Sequence, residues 1–131
     1  MPYHAEREAY RDSHHRCQLC DILRKLNINV SRNFINTLQI HHICGGSGRQ
    51  EYLTNWLVVC PSCHDWIHAN QKIERVVCIW IKLRAGEFDP EMYHTLSGKY
   101  VEGVLDIAKG HDLPHGFTAL IADCEMMLEG M

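Results

Sequence analysis

Residues 55–68 read Asn55-Trp56-Leu57-Val58-Val59-Cys60-Pro61-Ser62-Cys63-His64-Asp65-Trp66-Ile67-His68, and this stretch decides the fold. Leu57, Val58 and Val59 after Asn55 and Trp56 give a short apolar, β-branched run that suits a strand. Cys60-x2-Cys63 follows without a gap, the spacing at which two thiolates from one tight turn reach the same ion. Pro61 has no N–H to lose and a φ already set for the first helical position, so a helix opens inside the knuckle. On that helix His64 and His68 are four apart, which puts both imidazoles on one face within reach of one ion.

Upstream, Thr37-Leu38-Gln39-Ile40-His41-His42-Ile43 is a second β-branched run, and Gly45-Gly46-Ser47-Gly48 after it reads as a turn or open loop. The order is therefore strand, loop, strand, helix. Side chains alternate along a strand, so His41 and His42 point to opposite faces and cannot share one role. His41 with His64 and His68 makes three imidazoles able to converge on an ion. Such a set leaves coordination positions open to water and substrate, and nitrogen ligands suit zinc, nickel or manganese better than calcium.

Farther upstream lies a second knuckle, Cys17-Gln18-Leu19-Cys20, separated from Cys60 by 39 residues. The two pairs predict a four-thiolate structural zinc, Cys17, Cys20, Cys60 and Cys63, with the histidine pair carried on the insert between them. Four thiolates close a tetrahedral ion, so this site stabilises and leaves the chemistry to the histidines. Cys44, Cys78 and Cys124 stand at no ligand spacing and read as small apolar residues. His4, His94, His111 and His115 are isolated and read as surface residues. Trp56 and Trp66 flank the site and read as core.

The remaining sequence is helical in pattern. A first helix covers Glu6 to Arg11, and the almost continuous apolar run from Gln71 to Leu83 predicts a buried helix. Asp89-Pro90-Glu91 starts another by N-cap and proline logic, divisible at Ser97-Gly98, and a last helix spans Phe117 to Leu128. The expectation is one α+β domain over residues 1–131, with a core at about 17–70 and a helical extension at about 71–131.

Composition bounds the partners. The chain has 131 residues, enough for one core. Its net charge of −3 hides a division: residues 1–84 hold 11 of the 13 Lys/Arg and 7 of the 16 Asp/Glu, and residues 85–131 the remaining 2 and 9. The first part can face phosphates; the acidic last third suits a protein partner instead. Arg49, beyond the glycines, is the first choice for a phosphate contact, with Arg16 and Lys72 behind it. No apolar stretch approaches the roughly 20 residues of a membrane span, and no hydrophobic leader is present, so the thiols are expected to stay reduced in a cytoplasm.

His41-His42-Ile43, the glycine-rich loop, Asn55, Cys60-Pro61-Ser62-Cys63-His64 and His68 together resemble the HNH family of ββα-metal (His-Me finger) nucleases. The likeness covers about residues 17–68 and is to the zinc-knuckle, double-histidine type common in bacteria and phages. It implies a ββα-metal core with a zinc clamp, flanked by N- and C-terminal helices, that hydrolyses DNA phosphodiester bonds to 5′-phosphate and 3′-hydroxyl ends. It further implies His42 as general base, Asn55 as the residue that holds the loop and orients the base, and His64 as metal ligand. His41 falls where many members carry an Asp ligand, and His68 matches the extra ligand of all-histidine forms. The catalytic ion would be Mg2+, Mn2+, Ni2+ or Zn2+, in a bacterial or phage-infected cell. Gln39 stands where double-histidine members often have an acid. A monomer would nick one strand, and a two-fold homodimer could cut both. The competing expectation is a non-catalytic zinc module that binds nucleic acid or protein, with the histidines forming a second structural site.

Overall fold

The computed structural model describes residues 2–30, 38–45 and 52–131. Arg49, Thr37 and residues 46–48 of the glycine-rich loop lie outside the described residues. The fold is a mostly helical α+β arrangement around one two-stranded antiparallel sheet.

Helix α1 (Pro2–Asp12) is longer than the predicted first helix, and α2 (Cys20–Lys25) was not predicted at all. Strands β1 (Gln39–His42) and β2 (Trp56–Val59) pair in the register Gln39 with Val59, Ile40 with Val58, His41 with Leu57 and His42 with Trp56. A 3-10 turn, Leu53–Asn55, feeds β2. Helix α3 (Pro61–Ala69) starts at the predicted proline, with Cys60 in extended conformation as its N-cap.

The core is built on α4 (Glu74–Arg84). Val76, Val77, Cys78 and Ile79 are all fully buried, so this helix has no open side over that turn. The expected start at Gln71 is replaced by a turn through residue 73, whose backbone bonds run back to Asn70. Helix α7 (Phe117–Glu129) lays Phe117, Leu120, Ile121 and Cys124 in the core and packs on α4. Between them come α5 (Pro90–Ser97) and α6 (Val101–Lys109). Asp89 caps α5 by accepting from the backbone N–H groups of Glu91 and Met92. Gly98 ends α5 with φ of 73°, a left-handed turn that glycine makes at little steric cost.

One buried polar knot ties α1 and α4 to the sheet. Lys82, fully buried, donates to the Trp56 carbonyl and to Glu87 Oε1, each at 2.8 Å. Glu87 also accepts from the Tyr10 hydroxyl at 2.7 Å. Burial pushes the Lys82 ammonium down and Glu87 opposes that shift, so the ion pair is what permits a lysine inside the apolar run. No helix among the described residues is long and apolar enough to cross a membrane.

Candidate metal centres

The first knuckle reaches the second because Gln18 behaves as a fragment of strand. Its backbone N–H donates to the Val58 carbonyl at 2.8 Å, and its Oε1 accepts from the Val58 N–H at 2.7 Å. This side-chain bridge pins Cys17 and Cys20 beside the end of β2, where Cys60 and Cys63 begin α3. The four Sγ atoms lie within 4.8 Å of one another, with Cys20 at 3.6 Å from both Cys60 and Cys63. A tetrahedral zinc with Zn–S bonds of about 2.3 Å demands S–S edges of about 3.8 Å, so the cluster fits that ion with little adjustment. The Leu19 N–H points at Cys17 Sγ from 3.4 Å, a donor that favours thiolate.

Electrostatics agree with a site that shares charge. The Cys63 thiol bonded to Cys17 holds the latter down at about 5, against burial. Burial, followed by the charge on Cys17, pushes Cys20 up to about 12, and Cys63 is raised further by its bond to Cys17. The seven cysteines are free in the structure. The four-cysteine cluster is thus consistent with structural zinc and closed to substrate.

The imidazoles form a separate group. The Nε2 atoms of His64 and His68 stand 3.1 Å apart on the face of α3, and His41 from β1 presents its ring edge-on to both. The ring centroids are 5.3 Å apart for His41 and His64, 6.2 Å for His41 and His68, and 4.5 Å for His64 and His68. Imidazoles sharing one ion at about 2.0–2.1 Å have centroids roughly 5–6 Å apart. The three residues singled out by spacing are therefore neighbours, while the ligand atoms that gather within 4.8 Å of one another around His41 are those of Glu74 and Cys78. Burial first, and then His64 and His68, press the His41 ring down to about 3, and burial with His68 lowers His64. His41 is consequently neutral, with a lone pair to give, far below ordinary pH.

His42 is half-buried and occupies the next β1 position, opposite Trp56 and on the other face from His41. Its strand end is held by Asn55, which is 1% exposed. The Asn55 amide donates to the Cys44 carbonyl at 2.9 Å and its Oδ1 accepts from the Cys44 N–H, while the Ile43 N–H donates to the Asn55 carbonyl at 2.9 Å. The amide thus does the work of a ladder rung two residues beyond His42, where the strand would otherwise fray.

Two neighbours escaped sequence reasoning. Glu74 and Cys78, one turn apart on α4, place a carboxylate oxygen and a thiol within 4.8 Å of a His41 ring nitrogen. Cys78 donates to Glu74 at 3.3 Å, so it is buried as expected but not simply apolar packing. Glu74 brings a carboxylate to His41 from α4, whereas the strand itself carries Gln39. The i,i+4 spacing of Glu74 and Cys78 was a signal, but nothing in the order of residues aims α4 at β1. No family model matches the chain, and neither does any curated protein or solved structure.

Proposed function

We propose that the chain is a metal-dependent DNA endonuclease of the ββα-metal type, in which His42 is the general base. The observation that carries this reading is the division of labour on β1. His41 turns inward to the edge of the α3 pair, while His42 takes the opposite face with its strand end clamped by Asn55. A purely structural ion would use the trio and would need neither a second histidine nor the clamp.

The residues then act in named roles. His41, His64 and His68 would hold a divalent ion, Mg2+, Mn2+, Ni2+ or Zn2+, and Cys17, Cys20, Cys60 and Cys63 a structural zinc. The bound divalent ion supplies positive charge against the scissile phosphate and its leaving oxygen. His42 takes a proton from water as the water oxygen bonds to phosphorus. The bond from phosphorus to the 3′ oxygen breaks, that oxygen takes a proton from solvent water, the proton on His42 returns to solvent, and the phosphate stays on the 5′ end. Asn55 keeps the His42 backbone in place throughout. One such site nicks one strand, and a pair in a two-fold dimer could cut both.

The test is a plasmid-nicking assay with each divalent metal, on wild type and His42→Ala. The wild type should nick; the variant should fold and bind metal yet lose activity by about 10²- to 10⁴-fold, the usual worth of a positioned base. Full activity in the variant would remove the base assignment. Absence of nicking with every metal would favour the competing module, which binds without cutting.

A further inference from the structure

We infer that a cationic groove beside the histidine trio, walled in part by the C-terminal extension, binds the phosphodiester backbone of the DNA strand that flanks the cut. This inference rests on the nuclease reading for the identity of the strand, and on the following geometry for the site.

Two pockets meet along the turn between α3 and α4. One, of about 510 Å³, starts at His68. The other, of about 340 Å³, reaches Cys44 and Gly45 just beyond the His42 strand end. Gln71, Lys72 and His111 line both, so the two form one path from a proposed metal ligand to the Asn55 clamp. The path is positively lined: Lys72, Arg75 and Lys99 face the second pocket, and none of its lining residues is acidic. Asp112, at the far end beside His68, is the one carboxylate along it.

The cations differ in a way that suits a polyanion. Arg75 is a fixed fork: its Nη1 donates to the Tyr93 hydroxyl at 3.1 Å and its Nε to Glu74 at 3.3 Å. Lys72 and Lys99 are exposed, and neither has an ion pair among the described residues. The contrast with Lys109 is informative. Of the two lysines in residues 85–131, Lys109 is consumed by Glu125 at 2.8 Å and Asp106 at 3.6 Å, while Lys99 is left to the groove. A segment rich in acids therefore turns its one uncommitted lysine, with Ser97 and His111, toward the histidine site. A path with spaced cations and a single carboxylate at one end fits successive phosphates.

Binding, not cleavage, tests this. In the His42→Ala background and without added divalent ion, affinity for a fluorescein-labelled duplex of roughly 20 base pairs is measured by anisotropy as salt is raised. Lys72→Ala/Lys99→Ala should lower the slope of log K against log salt by about 1.8, from about 0.9 per lost phosphate contact. Lys25→Ala, an exposed lysine on α2 away from the groove, should leave the slope unchanged. A wild-type slope in the double variant, an equal drop with Lys25→Ala, or no binding by the parent overturns the groove. If the double variant loses the slope as expected while wild type fails to nick with every metal tried, the groove stands and the nuclease reading fails.

Discussion

The two candidate metal centres share helix α3 and little else. At its first turn Cys60 and Cys63 complete a set of four buried or half-buried sulfurs packed within 4.8 Å, with no side left for a fifth partner. One and two turns later, His64 and the exposed His68 join a single buried ring from β1. The same helix thus carries a closed thiolate cluster at its buried start and two imidazoles on its open face. Saturation converts metal affinity into folding energy; an open shell leaves room for a substrate oxygen. Where a ligand set sits relative to solvent therefore decides which of the two it can do.

The largest way to break the contrast is to strip the thiolate site. Binding energy at structural zinc is of the order of 10 kcal/mol, comparable to the whole stability of a domain of about 5–15 kcal/mol. Cys63→Ser, or a strong chelator, should therefore abolish the cooperative thermal transition seen by circular dichroism. His68→Ala should shift it by only a few degrees, since His68 is exposed. A melting curve indifferent to zinc removal would refute the structural role.

How far the sequence disclosed this arrangement depended on whether the information was local. The knuckles, the proline start of α3, the i,i+4 histidines and the Asp89 cap are properties of neighbours along the chain, and all appear where expected. The alternation that separates His41 from His42 is equally local. Helix α2 was invisible because six residues cannot hold a helix alone; Ile22 and Leu23 hold it by being buried. Lys82 read as an interruption of an apolar run, and only the arrival of Glu87, Tyr10 and the Trp56 carbonyl makes it core. Glu74 beside His41 belongs to the same class, since it depends on how α4 docks on the sheet.

A middle-sized effect comes from the clamp that separates the histidine site from the loop after β1. Asn55→Ala leaves the Cys44 N–H and carbonyl without these two partners in a buried setting, at about 1–3 kcal/mol for each unsatisfied group. Unfolding in urea should show a loss of about 3 kcal/mol, with zinc content unchanged and nicking reduced well beyond what the lost stability accounts for. An Asn55→Ala protein that is destabilised yet cuts normally would mean the clamp serves the fold alone.

The smallest and sharpest prediction uses acid. His41 in the folded chain titrates at about 3, and in the unfolded chain near the ordinary 6.5. Below pH 6.5 the unfolded state therefore binds a proton that the folded state refuses, so the stabilising contribution present above 6.5 is lost steadily as pH falls toward 3. One proton corresponds to a slope of at most about 1.4 kcal/mol per pH unit. Urea unfolding of the zinc-loaded protein, without any second metal, should show that slope from pH 6.5 to 5, a window chosen to keep the zinc thiolates bound. His41→Leu should reduce it, because leucine fills the buried position and binds no proton; the remainder belongs to His64, which burial and His68 also hold down. If wild type and His41→Leu lose stability in parallel over that window, the acid sensitivity belongs to the thiolate site, and the buried ring from β1 is not the neutral ligand that distinguishes the open centre from the closed one.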